Sequence, residues 1–346
     1  MTVRHAFLAL SLAALLPVAV SAAPPPDAPA YRVVKKVEVG GDGGWDYLTV
    51  DAASRRLYVS RGTRVMVFDA DTYASVGEIP DTQGVHGIAV APELSRGFTS
   101  NGRSNSVTIF DTKTLKPVSE VKVTGENPDA ILYDPASKRV FTFNGRTANA
   151  TVIDAATGAV AGTIGLDGKP EFGAADGKGL SFVNIEDKNE IEVLDGAKLA
   201  VVKKFPLAPC EEPSGLAIDR EHRRLFAGCH NKMMAVVDVD SGKVVATVPI
   251  GEGVDANFYD PGTGLAFASC GDGTITAARR ESGDKYSVAQ TVTTQQGART
   301  MALDEKSHTI FTVTAQFGPP PSPTADNPRP RRPMVPGSFV LLVVGK

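Results

Sequence analysis

From Trp45 to the C-terminus, short apolar runs alternate with breaks rich in Gly, Asp and Asn, and the pattern recurs seven times at a period of about forty-two residues. The second apolar run of each copy carries an aromatic residue: Tyr58, Phe98, Phe141, Phe182, Phe226, Phe267 and Phe311. The spacings between them are 40, 43, 41, 44, 41 and 44 residues. Six copies place an Asp in a turn shortly before that aromatic, at Asp51, Asp134, Asp176, Asp219, Asp260 and Asp304, and the second copy has Ala91-Pro92 there. Runs this short predict strands, and a fixed period built only of strands predicts a β-propeller.

The third copy shows how one unit is built. Ala130–Tyr133 and Arg139–Phe143 read as strands about the turn Asp134-Pro135-Ala136-Ser137. Asn144-Gly145-Arg146 then leads into a third strand, Ala150–Ile153, and Ala155-Ala156-Thr157-Gly158 into a fourth, Ala159–Ile164. Four strands joined by tight Asp, Asn and Gly turns make one blade. The Asp closing the third strand (Asp69, Asp111, Asp154, Asp195, Asp238) is expected to bind local backbone N–H groups rather than to catalyse. The sixth copy has Arg279 in that place.

The last copy supplies Met301–Leu303, Thr309–Val313 and Phe339–Val344, then runs out of chain before a fourth strand. A lone strand pattern at 31–40 precedes the first copy. Pairing it into the last blade closes the ring and removes an exposed edge. The fold expected is therefore all-β, a seven-bladed β-propeller of four-stranded blades, occupying residues 31–346 as one domain.

The N-terminus reads differently. Arg4 and His5 precede an apolar run from Ala6 to Val20, and Val20-Ser21-Ala22 offers a small-residue cleavage site. Residues 1–22 are expected to be a Sec signal peptide, since the run is too short for a membrane span. A Pro-rich stub at 23–30 follows. Removing the leader takes away Arg4 and no acid, leaving 35 basic against 39 acidic side chains, about −4. Without a long basic cluster, nucleic acid is an unfavourable partner. With no further apolar segment able to span a membrane, the mature chain is expected in the periplasm or medium, as a monomer.

Three cysteines suit an oxidising compartment. Cys210 precedes the fifth copy's first strand and Cys229 ends its second, so a hairpin centred on Asp219–Arg223 brings them together. Cys210–Cys229 is the preferred disulfide among three possible pairings. Cys210, Cys229, His230 and Cys270 as metal ligands are the alternative, though their spacing matches no established zinc pattern.

The runs LYVS at 57–60, FTSN at 98–101 and FTFN at 141–144, followed by strands such as VMVFD and VTIFD, resemble YVTN-type propeller repeats. End to end, the mature chain resembles the YncE-like family of exported bacterial seven-bladed propellers. That resemblance implies the fold and an exported location. It carries over no catalytic motif, because the family has no agreed activity.

Repetition also filters candidates, because residues present in every copy serve the architecture. Five residues before the turn Asp the copies differ, holding Asp46, His86, Asp129, Glu171, Ser214, Asp255 and Arg299, with the second copy aligned on its aromatic. These positions are expected on one rim of the central channel, flanked by the small residues Gly87, Ala130, Gly215 and Ala256. Two unit charges about 7 Å apart repel by roughly 2–3 kcal/mol at an effective dielectric near 20. Four carboxylates at one mouth therefore call for Arg299, a protonated His86, a cation or raised pKa values.

The same rim should carry the second-to-third turns. Asn101-Gly102-Arg103 and Asn144-Gly145-Arg146 are two of these, and the Pro-rich insertion 316–337 is another. The insertion, with Arg329, Arg331 and Arg332, is a candidate lid or docking arm, or a solvated decoration. His230 is expected near the rim, and His222 and His308 in outer turns. The glycine-rich stretch Gly40–Gly44 precedes no helix and so lacks what a phosphate cradle needs. No CxxCH, GxSxG or P-loop motif occurs.

Three functions follow as expectations. The first is a binding or scaffold protein that takes a small molecule, ion or exported protein at the acidic ring. The second is a metal-assisted hydrolase of lactonase type, with Ca²⁺ or Mg²⁺ on Asp46, Asp129, Glu171 or Asp255 and His86 as general base. The third is a periplasmic electron-transfer scaffold for a separate redox subunit.

Overall fold

A computed structural model describes residues 30–324, 330 and 332–346. The expected leader and all but the last residue of the stub lie outside the described residues, as do Pro328, Arg329 and Arg331. The described chain forms seven antiparallel four-stranded sheets, each with its first strand innermost. Successive innermost strands contact one another around the ring, and the first meets the last. Arg32–Glu38 pairs with Val340–Gly345 as the outermost strand of the seventh blade, so the ring closes as the sequence predicts. Among the described residues no helix is long and apolar enough to cross a membrane.

The periodic residues serve this architecture. All seven aromatics are essentially fully buried, each on a second strand. Truncating one of them to Ala would cost about 3–5 kcal/mol. The turn aspartates hold their hairpins: Asp134 accepts hydrogen bonds from the Ala136 and Ser137 N–H groups at 3.1 Å and from the Ser137 hydroxyl at 2.6 Å. The aspartates closing third strands behave alike. Asp154 accepts from the N–H and hydroxyl of Thr157, each at 2.9 Å. Such bonds favour the carboxylate and pull Asp69, Asp111 and Asp154 below their ordinary pKa.

Where Arg279 replaces that Asp, the outer hairpin changes with it. The outer hairpin runs on, pairing Thr274–Ser282 with Lys285–Thr293, longer than its counterparts. Cys210 and Cys229 form a disulfide, which excludes them as metal ligands, and Cys270 is buried as a free thiol.

Candidate functional site

The inner strands are irregular at their entrances. In the second to sixth blades the pairing register slips between Val85 and Ile88, Pro128 and Ile131, Pro170 and Gly173, Pro213 and Leu216, and Val254 and Ala256. Each slip spans the variable position: His86, Asp129, Glu171, Ser214 or Asp255. In the first and seventh blades the inner strand starts only after it, at Leu48 and Met301. A bulge leaves residues out of the ladder and re-aims their side chains, which suits a site on an otherwise regular sheet.

The freed backbone groups find new partners. The Asp46 N–H donates to Ser60 Oγ and the Gly87 N–H to Ser100 Oγ, both at 2.8 Å. Ser100 in turn donates to the Asp129 carbonyl of the next blade, and Ser269 to that of Arg299. Asn184 Nδ2 donates to the Ser214 and Gly215 carbonyls at 2.8 and 3.0 Å. These polar residues lie two positions after the core aromatics, so the repeat's scaffold strand also fixes the variable ring.

Charge is distributed in three groups. His86 Nδ1 lies 2.6 Å from Asp46 Oδ2 and 3.6 Å from Asp129 Oδ1. Lys169 Nζ lies 2.7 Å from Glu171 Oε1 and also contacts Glu186. Arg299 Nε lies 3.4 Å from Asp255 Oδ2, and Ser214 Oγ donates to Asp255 Oδ1 at 3.4 Å. Burial works against a charged His86, yet the Asp46 hydrogen bond and the Asp129 charge outweigh it and raise its pKa. Burial pushes Asp129 up to about 6, with His86 opposing and Asp46 reinforcing the shift. Burial and Asp129 push Glu171 up to about 8, against the pull of Lys169. Burial likewise raises Asp255, while Arg299 opposes it. The Asp129 charge thus makes the titration of Glu171 depend on that of Asp129.

Below this ring Tyr47 and Phe172 pack against each other across the channel, ring centroids 4.5 Å apart and planes tilted by 35°. Burial and the charges of Asp129, Glu171, Asp46 and Asp255 push the Tyr47 phenol well above its ordinary pKa, so it stays protonated. The pair forms a floor. Beneath it is a cavity of about 240 Å³, with polar and apolar surface in about equal share and Arg220 and Glu305 in its wall. Above it a groove of about 650 Å³ runs over the first three blades, between Trp45, Asp46, His86, Arg103, Arg146 and Arg299.

Six of the seven variable positions meet in two groups, Asp46–His86–Asp129 and Ser214–Asp255–Arg299; the seventh, Glu171, pairs with Lys169. His230 bonds Glu212 at 3.2 Å. His222 and His308 bond the turn residues Asp219 and Asp260, as their outer positions suggest. Arg332 donates to the Gly318 carbonyl at 3.0 Å and so ties the base of the insertion to itself. Phe317 there packs on Trp45, ring centroids 6.0 Å apart.

Sequence reasoning missed Lys169, Tyr47 and Phe172. The last two had a signal: they follow Asp46 and Glu171 directly, where most other copies carry Gly or Ala. It also left Gly40–Gly44 unexplained. Their carbonyls wrap the fully buried Arg61 guanidinium, whose Nη2 donates to Gly41 at 2.6 Å, and Arg61 lies 3.8 Å over the Phe339 ring. Positive φ at Gly40, Gly41 and Gly43 lets the backbone curl that tightly.

Fold and closure define the class, a seven-bladed β-propeller. No family model matches the chain, and no curated protein matches its sequence. Solved structures do match. A chain of the Kuenenia stuttgartiensis hydrazine synthase superposes with a TM-score of 0.68 at 17% identity, covering 80% of this chain and 94% of that one. A chain of a mitotic checkpoint complex superposes with a TM-score of 0.74 at 13% identity, covering 98% and 99%. Both likenesses are of fold alone.

Proposed function

We propose that this chain is an exported propeller of the YncE-like, YVTN-repeat kind that binds a small ligand or ion at the mouth of its channel. Cleavage after residue 22 releases it, residues 31–346 act as one domain, and it works as a periplasmic or secreted monomer. One observation carries the reading: the seven variable positions, Asp46, His86, Asp129, Glu171, Ser214, Asp255 and Arg299, occupy the irregular entrances of the inner strands. Six have side chains joined in two small polar networks. Burying several carboxylates costs stability, and a pure scaffold gains nothing from it. Binding to a panel of metabolites and divalent cations tests this. At least one member should bind saturably to the wild type and be lost from both Asp129→Ala and Arg299→Ala. Binding that both substitutions leave unchanged overturns the ring assignment.

A specific geometry favours a metal-assisted hydrolase as the second reading. One ligand atom from each of Asp46, His86 and Asp129 lies within 4.8 Å of the other two. Two carboxylate oxygens and an imidazole could hold a divalent cation that polarises an ester or lactone carbonyl. Stoichiometric metal in protein purified without chelators supports this reading, and its absence removes it.

A further inference from the structure

Each acid of the ring lies beside a basic group: Asp46 and Asp129 share His86, Glu171 has Lys169, and Asp255 has Arg299. The groove above the first three blades has a different balance. Its wall carries one carboxylate, Asp46, against Arg103, Arg146, Arg299 and His86. Arg103 and Arg146 come from the matching Asn-Gly-Arg turns, and neither guanidinium has a partner among the described residues. Arg299 keeps half its side chain exposed and meets Asp255 only at 3.4 Å. His86 spends Nδ1 on Asp46, which leaves Nε2 without a partner among the described residues.

Glycines keep that groove open. A Cβ on Gly102 would lie 2.7 Å from His86 Nε2, and one on Gly84 2.8 Å from the Arg103 Cβ. Both residues line the groove, and both are held by backbone bonds, Gly102 N–H to the Gly84 carbonyl at 2.9 Å and Gly84 N–H to the Gly62 carbonyl at 2.9 Å. Side chains there would press on the donors.

From this geometry we infer that the mouth takes a small polyanion, a compound with two or more acidic oxygens, held by Arg103, Arg146 and Arg299, with His86 Nε2 facing it. The inference rests on the reading of the mouth as a ligand site and names the ligand's chemistry. Guanidinium groups pair with carboxylate and phosphate alike, through two parallel N–H donors. About 650 Å³ accommodates a molecule of citrate size together with ordered water. Asp46, 2.6 Å from His86 Nδ1, fixes the orientation of the imidazole and turns Nε2 to the groove.

Calorimetric titration of the full mature chain with citrate and with pyrophosphate, at one fixed ionic strength, tests the inference. At least one should bind saturably; citrate alone points to a carboxylate ligand, and pyrophosphate alone to a phosphate ester. Arg103→Ala and Arg146→Ala should each weaken that binding about tenfold or more, while Arg220→Ala, beneath the Tyr47–Phe172 floor, should not. Circular dichroism melts check that each variant is folded. Failure of both anions to bind, or binding undiminished in a folded Arg103→Ala/Arg146→Ala double variant, overturns the inference. If a neutral or cationic ligand then binds in a manner lost from Asp129→Ala, the ring reading stands and only its ligand class is wrong.

Discussion

His86 Nδ1 sits 2.6 Å from Asp46 Oδ2, and the two residues come from adjacent blades at the same point of the repeat. With Asp129 at 3.6 Å, the imidazole bridges three blades and holds its proton more tightly than an isolated one. In an NMR titration the His86 ring should therefore titrate above the ordinary value of about 6.5. Asp46→Asn should lower that midpoint. A wild-type midpoint at or below 6.5 would contradict the bridging geometry.

Stability should fall as pH rises across the near-neutral range. His86 has a raised folded pKa, so its contribution is present below the unfolded value and is lost as pH climbs through the folded one. Asp129 and Glu171 are raised too, to about 6 and about 8, so the native state holds more protons than the unfolded chain between about pH 4 and 8. All three act in the same direction. Urea midpoints should be lower at pH 8 than at pH 5, and Asp129→Asn should flatten the dependence; a rise with pH would refute the assignment.

Ser100 serves two blades, accepting from the Gly87 N–H and donating to the Asp129 carbonyl. Ser100→Ala strands a buried donor and an acceptor beside the ring, at a cost of about 1–3 kcal/mol. Chemical denaturation should register that loss, and any ligand that depends on Asp129 should bind more weakly. Unchanged stability would mean that the bulge does not need its clamp.

Closure depends on Arg32–Glu38. Deleting that strand exposes the edge of Val340–Gly345, a run buried along its whole length. An open apolar edge pairs with other chains, so the truncated protein should elute as oligomers in size-exclusion chromatography. A monomeric, fully folded truncation would show that closure contributes little.

Reduction of Cys210–Cys229 should cost about 3 kcal/mol for a loop of its size. Under native oxidising conditions no thiol should react with a bulky maleimide, and after denaturation without reductant one, Cys270, should. Two or three labelled thiols would contradict the pairing.

Much of this fold was legible because a propeller writes its plan as a period. Tyr58 to Phe311, the turn aspartates and the closing strand all follow from spacing and strand pattern. The variable ring was legible too, as the register at which chemistry changes while scaffold does not. Its compensation was not. Lys169 lies two residues before Glu171, and only the bulge brings its amine alongside that carboxylate. Tyr47 and Phe172 meet across the channel from blades far apart in sequence, a contact that no local pattern encodes. Arg61 and the glycine loop show the same limit, since a buried guanidinium wrapped by carbonyls reads in sequence as an ordinary surface residue near a turn.

The central claim is that the channel mouth is a ligand site built on the variable ring. A crystal structure of protein purified from its native source without chelators tests it most directly. Density for a bound molecule or ion in contact with His86, Arg299 or the ring carboxylates is the predicted result. A mouth holding only water at high resolution, with a ligand seated elsewhere on the propeller, would contradict it.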